Sequence, residues 1–198
     1  DVSISPNLSS QGKMEGFLIL IKDINKEKLI EQRQRAVYRI VNFSNNVGLN
    51  SSSVGDYINQ EIMSVVNADC SCLILKDNEK HEFFLQDSKD FIIDNEIDFV
   101  NKKEKLIDLL FSLNTTLLLH DTELAELISK HGLESCFETM PFSIISVPII
   151  SNNFLEGIAV CFSGSMGTRF NQDDAEFITY ISGHISSHYL NVSSLMKT

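Results

Sequence analysis

Basic side chains are scarce in this chain of 198 residues: 16 Lys and Arg stand against 27 Asp and Glu, a formal charge of −11. The one tight basic group, Lys102, Lys103 and Lys105, is interleaved with Glu104. Phosphate backbones are held by clustered cations, so this balance excludes a nucleic-acid surface. It also disfavours direct contact with an anionic membrane. Apolar runs are short. None approaches the roughly 20 residues of a membrane-spanning helix, and no secretory signal is visible. The four cysteines, Cys70, Cys72, Cys136 and Cys161, form no CxxC pair, and a chain of this size needs no disulfide staple. Reduced, buried thiols in a cytoplasmic protein are expected. Glycines are few and scattered, with no phosphate-cradling loop, no Ser-His-Asp order and no paired-carboxylate signature; no catalytic apparatus is legible. The chain opens on Asp rather than Met, which points to a piece of a larger protein.

What is present is a regular alternation of strand and helix signals. Val2 and Ile4 alternate weakly, a turn-like Ser9-Ser10-Gln11-Gly12 follows, and Phe17-Leu18-Ile19-Leu20-Ile21 reads as a strong apolar strand. From Lys26 to about Val47 the pattern is helical. Leu29, Ala36 and Phe43 are spaced by seven, and Arg33, Ile40 and Val47 repeat with an offset of four. That pattern suits either a helix paired with a copy of itself or one packed on its own domain. A second helix spans about Val54 to Val66 after the break at Asn50-Ser53. A hairpin follows, with Ser71–Leu75 and Glu82–Leu85 as its strands and Asp77-Asn78 at its turn.

Further on, Lys105–Phe111 reads as helix and Thr115–Leu119 as a strand ending at His120-Asp121. Asp121 is a plausible cap for a helix from Thr122 to Lys130, which Gly132 closes. Ser143–Ile150 and Phe154–Phe162 are paired strands around the turn Ser151-Asn152-Asn153. In the second of them Ile158, Val160 and Phe162 face one way and Gly157, Ala159 and Cys161 the other. The last helix starts at Asn171 as its cap, with Asp173, Asp174 and Glu176 in its first turn. Ile178, Ile181, Ile185, His188, Val192 and Leu195 recur along it by three and four.

This order predicts an α+β fold: a central antiparallel sheet with helices on its faces and long N- and C-terminal helices. From about Ala36 to Leu190 the chain resembles the GAF family of sensory domains. The resemblance rests on Ala68–Leu75 as first core strand, Leu117–Asp121 as a middle one, and Ser143–Ile149 as the penultimate one. Gly157–Val160 followed by Phe170–Asp174 is similar to the closing strand and helix. Residues 1–25, with Val2–Pro6 and Gly16–Ile24, resemble the last two strands of a PAS domain. The implied organisation is a PAS-like remnant over 1–25, a linker helix over 26–48, a GAF-like sensory domain over 49–192 and the start of an output linker over 193–198.

The resemblance implies an input module of a bacterial signalling protein, such as a sensor histidine kinase in a two-component system or a cyclic-di-nucleotide enzyme. Its expected partners are a second copy, an unknown small molecule and an output domain beyond Thr198. No cofactor is indicated. Cyclic-nucleotide-binding members carry an Asn-Lys pair and a Phe-x-x-x-Asp-Glu motif; here Phe170 and Asp174 match, but Ala175 and Ser163-Gly164 depart from it. Bilin attachment is disfavoured because no Cys-His dipeptide occurs. The family's pocket would be lined by Cys72, Phe84, His120, Phe137, Met140 and Phe142, apolar with one or two polar handles, although the same residues could fill a solid core.

The expected dimer seam comprises Leu29, Ala36, Ile40 and Phe43 on the first long helix with Ile178, Ile181, Ile185 and His188 on the last. There, protonation of His188 would repel its copy. His184 and His188 have a metal-compatible spacing but lack a third ligand, so no metal is expected. Cys70 and Cys72 point to one face of their strand, as thiols of an enzyme resembling free-methionine-sulfoxide reductase would require, but nothing basic lies near them to activate a thiolate. That enzyme, and a structural dimerisation unit without ligand, are the alternatives to a sensor.

Overall fold

The computed structural model describes residues 2–21, 24–46, 51–77, 80–87, 96–137, 139–164 and 169–195. Two compact units divide the chain at Arg35/Ala36. The first contains an antiparallel hairpin of β1 (Val2–Leu8) and β2 (Met14–Ile21), in register from Val2↔Ile21 to Asn7↔Gly16. Its turn places Gly12 at φ 75, a left-handed conformation that glycine adopts without steric cost. Helix α1 (Asn25–Asn46) begins in this unit and ends in the second, so the division falls inside the expected linker helix rather than at either of its ends.

The second unit is a five-stranded sheet between two helical layers. The strands are β3 (Cys70–Asp77), β4 (Lys80–Asp87), β5 (Leu117–His120), β6 (Ser143–Ser151) and β7 (Phe154–Ser163), in the order β4-β3-β7-β6-β5 with every neighbour antiparallel. The helices are α2 (Ser51–Val66), α3 (Glu96–Leu113), α4 (Asp121–His131) and α5 (Gln172–Leu195), with a short 3-10 turn at Glu134–Cys136.

Strand alternation sends side chains to opposite faces, and the two cores follow it. One layer packs Ala36 and Ile40 of α1, Ile58 and Ile62 of α2 and Ile178, Ile181 and Ile185 of α5 onto Leu73, Leu75, Ile145, Val147, Ala159 and Cys161. The other packs Leu106 and Leu110 of α3, Leu124 and Ile128 of α4, Cys136 and Phe137 onto Cys70, Ile144, Ile158, Val160 and Phe162. The split of β7 into Ile158/Val160/Phe162 and Ala159/Cys161 is the one its sequence predicts. Gly157 continues the second set for a steric reason: a Cβ there would stand 2.4 Å from the Ile74 carbonyl oxygen.

Local chemistry explains several boundaries. Asn152 and Asn153, at φ 48 and 67, make the tight β6–β7 turn in the left-handed conformation that Asn tolerates. Gly132, at φ 63, ends α4 while the Leu133 N–H reaches back to the Ile128 carbonyl. At the start of α5, the Asp174 N–H donates to Asn171 Oδ1 at 3.1 Å and the Asn171 N–H donates to Asp174 Oδ2 at 2.9 Å, a reciprocal cap.

Two expectations need correction. Ala36, Ile40, Ile178, Ile181 and Ile185, taken from sequence as a dimer seam, are between 0% and 6% exposed within the chain's own core. A helix face that covers a sheet has the same three-four spacing as one that meets a twin, so periodicity cannot distinguish them. Phe43 is half-buried and stacks on Tyr57 of α2 at 4.1 Å, Leu29 is half-buried in the first unit, and the His188 side chain lies outside the described residues. Asp121 is the first residue of α4 rather than its cap. His120 occupies the cap position without a side-chain bond to the helix.

Candidate functional site

The pocket predicted from sequence does not assemble as one lining. Cys72 pairs with Val160 across the sheet, which places it on the α3–α4 face, where it is half-buried. Phe137 belongs to the same layer, buried and edge-on to Phe162 at 5.4 Å. His120 goes to the opposite side: it pairs with Ser143, and alternation along β5 and β6 sets these two with Leu118 and Ile145 in the layer of α1, α2 and α5. Met140 is exposed, and Phe142 is half-buried. Phe84 pairs in register with Leu73, a member of the α1–α2–α5 layer, and its side chain lies outside the described residues.

A connected polar arrangement forms instead at one end of the sheet, where β5 and β7 finish and β3 and β6 begin. His120 Nδ1 lies 2.8 Å from Ser143 Oγ, and the Phe170 N–H donates to that same oxygen at 3.3 Å. Ser143 is fully buried. That one oxygen therefore joins the imidazole to the backbone of Phe170. Phe142 contributes through its main chain, which accepts from the Asp121 N–H at 2.9 Å and donates to the Ser163 carbonyl at 2.7 Å. Arg169 forms an ion pair with Asp121. Asp121 itself sits at φ 40, a left-handed conformation unusual for a residue with a side chain. At the end of β7, the buried Asp69 carboxylate accepts from the Gly164 N–H at 2.9 Å and from the Ser163 hydroxyl at 3.5 Å.

This end of the sheet is a junction between the layers. Asp121 opens α4 on one face, whereas Arg169 and Phe170 lead into α5 on the other, and both are tied to the same strand ends. It is poorly suited to nucleophilic catalysis. Ser143 is sealed from solvent and its oxygen is occupied by a backbone donor. Sequence reading placed His120 and Asp121 at a strand end but missed Ser143, Asp69 and Arg169. A serine opening an apolar strand is the one signal that could have drawn attention to the first of these.

The thiols divide by burial. None of the four forms a disulfide; Cys70, Cys136 and Cys161 are buried and Cys72 is half-buried. The Cys161 thiol donates to Ser71 Oγ at 3.7 Å, and that hydroxyl donates to Asn59 Oδ1 at 2.8 Å, a buried polar chain between α2 and the sheet. Burial pushes the Cys161 thiol up to about 12, far from the thiolate that redox chemistry uses. Among the described residues no group of three or more His, Cys, Asp or Glu is placed to hold a metal ion, and His184 lies edge-on to Tyr180 at 4.8 Å. No described helix is long and apolar enough to cross a membrane.

No family model and no curated protein sequence matches this chain. Solved structures match it in fold. The GAF domain of a phosphoenolpyruvate-protein phosphotransferase (ptsP) from Coxiella burnetii superposes with a TM-score of 0.61 at 16% identity, over 85% of this chain and 98% of that one. The free methionine-R-sulfoxide reductase from Neisseria meningitidis, solved with its substrate, gives 0.62 at 12% identity, over 89% and 96%. The fRMsr of Staphylococcus aureus, also in complex with substrate, gives 0.56 at 14% identity, over 85% and 98%. The fold is therefore GAF-like α+β, as the order of elements predicts. Similar structures include both GAF domains of larger proteins and reductases, so the fold leaves the activity to be argued from the residues.

Proposed function

We propose that this chain is a sensory or regulatory module that passes events on its α3–α4 face to α5 through the junction at the end of the sheet. The observation that carries this reading is the double tie there: Arg169 to Asp121, and Phe170 through Ser143 to His120, joining the start of α4 to the start of α5. A ligand that displaced α4 would load both ties, and α5 would carry the displacement toward an output module. Such a relay needs two arrangements separated by a few kcal/mol and a ligand that prefers one of them. The occupant suggested by Cys72 and Phe137 is a small molecule with an apolar body and few polar groups. The setting that fits is an intracellular signalling protein of the sensor-kinase or cyclic-di-nucleotide type, with residues 1–25 as the end of a PAS-like domain.

A thiol reductase is the second reading, favoured by the likeness in fold to two such enzymes. The burial of Cys70, Cys136 and Cys161 weighs against it, as does the raised Cys161 thiol. Two measurements on the purified chain separate the readings. Native mass spectrometry that finds one small molecule retained per chain supports sensing. Turnover of free methionine sulfoxide with dithiothreitol, abolished by Cys72→Ser, overturns it in favour of the enzyme.

A further inference from the structure

β5 passes into α4 without a loop. His120, the last strand residue, is extended at φ −137 and ψ 154, and Asp121 is already the first residue of the helix. One backbone position therefore makes the whole change of direction, and it does so at φ 40, in the left-handed region. The first residue of a helix ordinarily has right-handed backbone angles. Among the described residues, the other non-glycine positions at positive φ are all asparagines: Asn67, Asn114, Asn152 and Asn153. Asn and Asp enter this region at least cost, and β-branched side chains are the least tolerated there.

Two contacts hold that position. The Asp121 N–H donates to the Phe142 carbonyl at 2.9 Å, which ties its backbone to the chain entering β6. Its carboxylate pairs with Arg169, just ahead of α5. His120, in the cap position, makes no side-chain bond to the helix. At its other end α4 stops at Gly132, again in left-handed backbone at φ 63. Both ends of the helix are thus single residues able to absorb a change of backbone angle, the property of a hinge. Between them Leu124 and Ile128, 1% and 2% exposed, lie in one layer with Cys70, Ile144, Val160 and Phe162.

We infer that Asp121 is a one-residue pivot for α4 and Arg169 its lock, so that the chain has a locked and a released arrangement of this helix. The inference rests on the sensory reading only for its purpose: these are the two arrangements a relay requires, and the lock lies on the segment that leads into α5. The test is residue-resolved hydrogen exchange of the full chain with Arg169→Gln, Asp121→Asn and Asp121→Val. It is read at the helical amides of Ala125–Ser129 in α4 and Ile178–Ile185 in α5. Arg169→Gln and Asp121→Asn are each expected to speed exchange in α4 by about two- to fivefold, the range for a pair whose partners are 63% and 36% exposed. Combined, they are expected to do no more than either alone, since they remove one interaction. Asp121→Val is expected to add about five- to thirtyfold over Asp121→Asn, because it also disfavours the left-handed backbone. Amides of α5, held by Ile178, Ile181 and Ile185 in the other core layer, are expected to stay within about twofold, as local opening of one helix requires. Exchange that rises equally in both helices is general loosening and overturns the inference. So does Arg169→Gln without effect, or an Asp121→Val helix no faster than Asp121→Asn. Should Asp121→Val fail to fold, the other two variants and their combination decide. None of these readings needs a ligand. A chain that retains no small molecule yet shows this selectivity keeps the pivot and loses the sensor; a retained molecule beside an α4 indifferent to all three variants does the reverse.

Discussion

Ser143→Ala puts the junction to the test at its centre. The serine oxygen, fully buried, is shared by the Phe170 N–H at 3.3 Å and His120 Nδ1 at 2.8 Å. Its removal leaves the Phe170 N–H without that acceptor at a residue only 2% exposed. A stranded buried donor costs about 1–3 kcal/mol, and the 3.3 Å length places this one toward the lower half of the range. The half-buried imidazole can turn toward water, so its loss adds no more than about 1 kcal/mol. The expected sum is about 1–3 kcal/mol, or a melting temperature lower by about 2–12 °C for a unit of this size. Urea unfolding of wild type, Ser143→Ala, His120→Ala and the double variant measures both the total and the coupling between the two side chains. A coupling near 1 kcal/mol is expected for one net hydrogen bond in a buried setting. Hydrogen exchange should speed up selectively at the first turns of α5 in Ser143→Ala. A single variant within about 0.5 kcal/mol of wild type, the range of an ordinary surface substitution, would refute the junction as an anchor.

Three further outcomes are expected. A small maleimide applied to the native chain should label Cys72 quickly and leave the other three thiols to react on the unfolding timescale; fast labelling of Cys161 would contradict its burial. Burial raises the Cys161 thiol from 9.0 to about 12, so the unfolded chain sheds that proton first as pH rises. Stability should then fall between those two values by about 1.4 kcal/mol per pH unit, and urea titrations of Cys161→Ala should lack that slope. Gly157→Ala sets a methyl 2.4 Å from the Ile74 carbonyl oxygen, so β3 and β7 must part at the middle of the sheet. A loss of about 2–3 kcal/mol in thermal or urea unfolding is expected, and a neutral effect would mean that the strands are not paired in this register.

How far the sequence could be read depended on whether a signal was local. The Asn171 cap, the Gly132 stop and the alternation along β7 need only neighbours a few residues away, and each is visible in the chain. Strand order is a long-range matter. Nothing in Ser143 itself says that β6 will bring it beside His120, 23 positions earlier, or that Phe170 will fold back onto it. The expected pocket comes apart at the same step. Which faces His120 and Cys72 take is fixed by the pairing of β5 with β6 and of β3 with β7. One residue of register separates the two layers. A carboxylate before a helix is usually its cap, whereas Asp121 pairs with Arg169, 48 positions later.

The correction of the seam changes how a signal would travel. A helix whose apolar stripe meets a twin can rotate against that twin and leave its own domain intact. With Ile178, Ile181 and Ile185 locked onto Ile145, Val147 and Ile149, α5 cannot rotate without disturbing the sheet itself. Movement along its axis, driven from the end that Arg169 and Phe170 hold, disturbs that packing less. The α1 end is fastened as well: Arg39 donates to both carboxylate oxygens of Glu61 on α2, at 2.7 and 2.5 Å, and Phe43 stacks on Tyr57. Arg39 is nearly half exposed, so that ion pair is worth about 1 kcal/mol at most and is weakened by salt, whereas the buried Ala36 and Ile40 are not. The firm connections of both long helices are thus their apolar ones, and the polar ties at Arg39 and Arg169 are the ones a ligand of ordinary affinity could break.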